Sequence, residues 1–263
     1  MAGVLERSLA ILEKLADHVE GLPLATIADE LDIPRSAAHR LLLDLSQQGY
    51  VRQSRDRGDY VLTTKLISLG LNYLKHSGVL DIAQPILDRL AASSGELVRL
   101  GVVDVDHLTW VAKAQGARSG LLYDPDMGID ARLSCSASGH AWLASLSDDE
   151  ALQLVSKQGL GKPEDYGPNA ITTPTALLKA LKQARKLGYA VTIETYAAGL
   201  SAIGTAVVAK GKGAVGVITI SGPSVRLTEQ KMQSLVPDLM QAASDMATAS
   251  VASALFDRPY AES

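Results

Sequence analysis

Residues 33–45, IPRSAAHRLLLDL, gather Arg35, His39 and Arg40 near one end of a helical pattern and a run of leucines at the other. In a helix opening at Pro34, where a missing N–H costs nothing, Ala38, Leu41, Leu42 and Leu45 share one face. Arg35, Ser36, His39 and Arg40 fall on or beside the opposite face, within the first two turns. Such a helix start either ends in solvent or meets something polar, and its neighbours in the chain bear on the choice.

Upstream, RSLAILEKLADH at residues 7–18 places Leu9, Ile11, Leu12, Leu15 and Ala16 close to i, i+3, i+4, i+7 spacing, one apolar stripe on a helix. After the break at EGLP, LATIADEL at residues 24–31 predicts a short second helix with Leu24, Ile27, Ala28 and Leu31 inward. Asp32 and Ile33 are left as the turn, and Asp tolerates a left-handed conformation better than most residues. Two helices joined by so short a turn follow the helix-turn-helix plan. Downstream, GYVRQSRDRGDYVLT at residues 49–63 alternates apolar and polar residues on both sides of SRDRG, which predicts a hairpin. Three helices and a hairpin make a winged helix-turn-helix. Helical spacing resumes with Leu66, Leu69, Leu71 and Leu74 as a connecting helix.

Beyond Leu80 the texture changes. DIAQPILDRLAASSG at residues 81–95 is helical, and ELVRLGVVDVDHLTWVAKA at residues 96–114 predicts two strands about a DVDH turn. Helices follow at Ser138–Leu146, Asp148–Lys157 and Pro174–Leu187, strands at YAVTIET, SAIGTAVVAK and AVGVITIS, and a last helix at Thr228–Ala254. Hairpin-linked strands mixed with helices imply an α+β domain with a mainly antiparallel sheet. The expected organisation is a DNA-binding domain at 1–63, a linker helix at 64–79 and an oligomerising, small-molecule domain at 80–257.

Composition limits the functional classes. The chain has 263 residues, 47% of them hydrophobic, enough for one large core or two modest ones. The single cysteine, Cys135, excludes an intramolecular disulfide and a Cys-rich zinc site. The amphipathic start, rich in acids, is unlike a signal peptide, and no window approaches ~18 uninterrupted apolar residues. A cytoplasmic protein without a membrane segment, metal or cofactor is expected. The net charge of −4 argues against a general nucleic-acid coat. Residues 1–65 hold eight Lys and Arg against ten Asp and Glu, yet from Arg35 to Arg57 there are five arginines against two aspartates. The positive face is local: Arg35, Ser36, His39 and Arg40 are expected to meet double-stranded operator DNA, with Arg52, Arg55 and Arg57 on the backbone from the wing. So few phosphate contacts per copy call for at least a dimer. A solvated helix end is the bland alternative.

Two further motifs bear on small molecules. GKGAVG at residues 211–216 matches a dinucleotide fingerprint, but alternating β-branched residues follow it where a helix is required, so it is read as a hairpin turn. SCSASGHAWLASL at residues 134–146 sets small polar residues before an apolar helical run. The N–H groups of Ser138, Gly139 and His140 are expected to lie unpaired at a helix start and to receive an anion. An ordinary N-cap without a ligand and a Cys135–His140 nucleophile pair are the alternatives.

Taken together, RSLAILEKLA, LATIADELDIPRSAAHRLLLDLSQQGYV, YVLTTKLISLG, SASGHAWLA, LGYAVTIE, GLSAIGTAV and ITISGP resemble IclR-family transcriptional regulators from about Arg7 to Pro223. The resemblance implies a GAF-like effector domain, homodimers or homotetramers, and regulation by a small metabolite, often a carboxylate or aromatic acid, as in a repressor of a catabolic operon. It also implies that Thr219 and Ser221 complete a polar cradle opposite Ser138, Gly139 and His140. Thr192 stands where relatives often have Asp, and Ala202 followed by Ile203 stands where many have Cys-Ile. Ile203 is expected to be an apolar wall, with no acidic group nearby. An enzyme or sensor-only protein built on the second domain is the alternative function.

Overall fold

The computed structural model describes residues 3–54, 58–125, 127–250, 253, 255 and 256. The chain forms two compact units, residues 1–76 and 77–263.

In the first unit, α1 (Val4–Ala16), α2 (Leu24–Glu30) and α3 (Arg35–Gln47) precede a hairpin of β1 (Val51–Gln53) and β2 (Tyr60–Leu62). Its core unites Ile11 and Leu15 of α1, Ile27 and Ala28 of α2, and Ala38, Leu41 and Leu42 of α3. The inward faces otherwise follow the periodicity, but α1 begins earlier than expected, Leu9 is exposed beside Val4 and Leu5, and Ala16 at its end is exposed as well. Pro34 is the cap of α3, with Arg35 its first helical residue. Asp32 takes φ of 49°, as the turn requires. From this unit α4 (Lys65–Ser77) leads on, and Gly78 at φ 67° separates it from α5 (Val79–Ser94).

The second unit is built on β3 (Leu97–Asp104), β4 (His107–Gln115), β5 (Ala190–Ile193), β6 (Leu200–Val208) and β7 (Ala214–Pro223), in the order β4-β3-β7-β6-β5 with every pair antiparallel. β7 is central and buried along its whole length. GKGAVG forms the β6–β7 turn and the start of β7, with Gly211 at φ 76°. α5 and α9 (Glu229–Ala249) pack against each other and against the sheet, as do α6 (Ala137–Leu143) and α8 (Pro174–Leu187), while α7 (Asp148–Gln158) supplies Ala151 and Val155 to the same core as Trp142 and Leu177.

Register fixes which side chains share a face. Arg99 of β3, Thr219 of β7 and Gly204 of β6 stand opposite one another, and the next row holds Leu97, Ser221, Ala202 and Thr192. A Cβ on Gly204 would lie 3.1 Å from the Ala137 carbonyl, so glycine there lets α6 press on this face. None of the helices is long and apolar enough to cross a membrane, among the described residues.

Asp32 tests the turn directly. Asp32→Val, which adds β-branching at positive φ, is expected to cost about 1–2 kcal/mol in urea unfolding, and Asp32→Gly to cost nothing.

Candidate functional site

Two surfaces carry the chemistry. The first is the outward face of α3, where Arg35, Ser36, His39 and Arg40 are all exposed. Arg35 reaches Asp29 at 3.2 Å, both side chains about two-thirds exposed. An exposed ion pair of this kind contributes little and exchanges readily. Lys65 donates to the Gln48 carbonyl at 2.6 Å and lies over the Tyr50 ring, fixing the end of α3 to the start of α4. Arg52 is exposed on β1. Arg55 and Arg57 lie outside the described residues.

The second is a crevice in the other unit, with about 540 Å³ of atom-free space, part of it open to solvent. Ser138, Thr192, Ala202, Thr219 and Ser221 line it, as expected from the sequence. Gly139, His140 and Ile203 do not, for physical reasons. Ser136 caps α6: its Oγ accepts the Gly139 N–H at 3.0 Å, and its carbonyl accepts the His140 N–H at 3.0 Å. The expected free donors at these two positions are therefore used inside the helix. Gly139 instead serves packing, since a Cβ there would lie 2.4 Å from Leu133 Cα. A larger residue at 139 therefore disturbs the fold, not merely a ligand's approach. Ile203 alternates to the opposite face of β6 and is fully buried.

His140 is a core residue. Its Nε2–H donates to the Ser134 carbonyl at 2.8 Å, and burial holds the imidazole below its ordinary value. Cys135 is fully buried and burial pushes its thiol up to about 11, so it stays protonated. With its sulfur neutral and Nε2 of His140 engaged by a carbonyl, the pair lacks the thiolate that nucleophilic chemistry requires.

The polar centre lies in the sheet. Arg99 is 8% exposed and makes no ion pair with a carboxylate among the described residues. Its guanidinium stacks on Trp110 at 3.8 Å from the ring centroid, with the Tyr123 ring at 5.9 Å, and Nε has no hydrogen-bond partner. Burial draws its pKa down, partly opposed by the Tyr123 phenol, and burial likewise raises that of Tyr123. The Thr219 hydroxyl, on the cross-strand neighbour of Arg99, is also buried and unpartnered. Sequence reading overlooked Arg99 although one signal was available: it is the single charge in the otherwise apolar strand LVRLGVV.

Residues 116–133, to which the sequence reading assigned no role, supply Tyr123, Pro125, Ile129, Asp130 and Arg132 to the lining. Asp130 corrects the expectation that no acid is near. It is held by the Thr109 hydroxyl at 2.6 Å and His107 Nδ1 at 2.6 Å, which raises the His107 pKa. The same segment is anchored at Leu121, whose carbonyl accepts from Arg226, itself bidentate to the buried Glu96 carboxylate at 2.7 and 2.8 Å.

The depressed pKa of His140 has a consequence in solution. The unfolded chain takes up this proton near the ordinary value of 6.5 while the folded chain does not, so stability falls as pH drops through that range. Urea unfolding is expected to show a loss of up to about 1.4 kcal/mol per pH unit below it, diminished in His140→Gln.

Both units match known families. Residues 4–55 match the IclR helix-turn-helix domain, and residues 71–248 match the bacterial transcriptional regulator IclR C-terminal family. The HTH-type transcriptional repressor AllR of Escherichia coli strain K12 is 31% identical over 94% of this chain and 90% of its own. The crystal structure of Thermotoga maritima IclR superposes with a TM-score of 0.71 at 26% identity, covering 93% of this chain and 97% of that one. An IclR homolog from Microbacterium hydrocarbonoxydans, solved in complex with 4-hydroxybenzoate, has the same fold at 22% identity and a TM-score of 0.77, covering 95% and 100%. With both units matched in order along the chain, the protein belongs to the IclR family of bacterial transcriptional regulators.

Proposed function

We infer that the chain is a cytoplasmic repressor of a catabolic operon, released from its operator when a small carboxylate or aromatic acid enters the crevice of the second unit. The observation that carries the DNA half of this reading is the α3 face: four polar side chains stand exposed in its first two turns, above a packed apolar face. In this reading Arg35 and Arg40 meet base edges, Ser36 and His39 contact the groove, and Arg52 with Arg55 and Arg57 meets phosphate. The 4-hydroxybenzoate complex of the Microbacterium homolog supports a small-molecule role for the crevice.

A homodimer or homotetramer belongs to the same reading. The first unit carries a net negative charge, so one copy attracts DNA weakly, and two copies on one duplex multiply the affinity. Apolar side chains stand exposed on α1, Leu5 at 72%, and on α4, Ile67 at 61% and Leu71 at 60%. Exposed apolar side chains of this kind suit a second copy. To change DNA affinity the effector must bind two conformations of the oligomer unequally, by a typical ~1–3 kcal/mol.

The test begins with operators selected from a random duplex pool by the full-length chain. Arg35→Ala and Arg40→Ala are each expected to weaken the selected site by about 1–3 kcal/mol, while Arg52→Ala flattens the slope of log affinity against log salt by roughly 0.9. Failure to enrich any sequence, or unchanged affinity in both α3 variants, rejects the assignment.

A further inference from the structure

We propose that His107 is a proton-operated latch on the segment that covers the crevice. Its imidazolium bridges Asp130 of the cover to Asp106 of the β3–β4 turn, so the cover is held while the ring is charged and loosened when the ring loses its proton. The latch belongs to the wall of the crevice and is independent of what enters it.

The geometry calls for the cation. Nδ1 of His107 lies 2.6 Å from Asp130 Oδ2, and Nε2 lies 3.1 Å from Asp106 Oδ1. A neutral imidazole carries hydrogen on one nitrogen only, so it would turn a lone pair towards one of the two carboxylates. The imidazolium presents N–H on both sides. Asp104, at the end of β3, adds a third acid, while Lys157 of α7 is engaged on the other oxygen of Asp106 at 3.3 Å. With the ring neutral, three carboxylates face that one lysine. The bond to Asp130, opposed in part by desolvation and aided by the charges of Asp106 and Asp104, raises the pKa of the ring.

Both partners of the ring are fixed by backbone. Val105 in the turn takes φ of 58°, a left-handed conformation unfavourable to a β-branched residue. Such backbone persists where its surroundings hold it, and here it sets Asp106 beside the ring. Asp130 pairs with Thr109 along the free edge of β4. There the Trp110 N–H donates to the Ile129 carbonyl at 3.3 Å, the Gly128 N–H to the Trp110 carbonyl at 3.1 Å, and the Ala131 N–H to the Leu108 carbonyl at 2.8 Å. These three bonds form the seam along which the cover meets the sheet, and Ile129, Asp130 and Ala131 line the crevice behind it. The latch closes the seam from outside, for the His107 side chain is 62% exposed. Water screens such a pair, so its effect is a modest factor.

With the seam closed the ring holds its proton more tightly than with the seam open, where it titrates near the ordinary 6.5. The added stability of the seam is therefore complete below that value and is lost as pH rises through the closed-state pKa. This dependence is opposite in sign to that of His140, whose burial makes the folded chain resist protonation.

Nuclear magnetic resonance on the full-length chain tests the latch, with the ring signal assigned by its loss in His107→Gln. The ring is expected to titrate above 6.5, to fall back towards that value in Asp130→Asn, and to fall by less in Asp106→Asn. Hydrogen exchange of the Trp110, Gly128 and Ala131 amides, corrected for the intrinsic effect of pH, reads the seam itself. Its protection is expected to drop about 3- to 10-fold as pH rises through the titration of the ring. In His107→Gln the same protection is expected to be independent of pH, while the Ile218 amide in central β7 stays equally protected in every variant. A ring that titrates at or below 6.5, or that is unmoved by both aspartate variants, overturns the proposal. So does seam protection that is flat across pH in the parent chain, or that changes as much in His107→Gln.

Discussion

The second unit depends on how closely α6 is pressed between the sheet and the segment that precedes it. All seven residues of α6 are buried, an unusual state for a helix with serine, glycine and histidine in its first half. Two glycines permit it, Gly139 against Leu133 and Gly204 against Ala137, because an interior at crystal-like density has no room for a Cβ at either place. The polar groups drawn inside must then find partners locally. Ser136 supplies the cap and Ser134 the acceptor for His140. What reads in the sequence as a cluster of available donors is therefore mostly internal cement, and the crevice takes its remaining polar character from the sheet beyond the helix.

That transfer explains why Arg99 matters. A guanidinium flanked by apolar strand residues sheds most of its hydration, and the faces of Trp110 and Tyr123 restore only part of the lost electrostatic stabilisation. Arginine tolerates such a position better than lysine because its delocalised charge is weakly hydrated and stacks on aromatic rings. The segment between β4 and α6 closes over the same space, tied by Asp130 at one end and by the Arg226–Leu121 contact nearer its start. The cover supplies Tyr123, one of the three aromatic side chains of the lining, and through it meets Arg99.

The first unit solves a different problem. Its core is small, a single cluster beneath three short helices and a hairpin. Seven of its ten acids precede α3, while five of its six arginines fall between residues 35 and 57. The Arg35–Asp29 pair spans that boundary, and its exposure leaves the arginine free to exchange one partner for another.

Local order was legible from the residues themselves: the spacing that makes α2 and α3, the left-handed turn at Asp32, the hairpin at residues 211–213 and the β3–β4 pair all depend on neighbours a few positions apart. The two-part organisation and the α+β class followed from the same short-range patterns, and Ser138 from the helix start, whereas Thr192, Ala202, Thr219 and Ser221 came only from the resemblance to IclR-family regulators. What tertiary structure decided was the meaning of each polar group. Leu9 is apolar yet outward; Gly139 and His140 sit in a polar motif yet serve packing; Arg99 sits in an apolar strand yet forms the polar centre. Each of these depends on strand register and on which element covers a face, contacts between residues tens of positions apart, and one-dimensional periodicity carries no information about them.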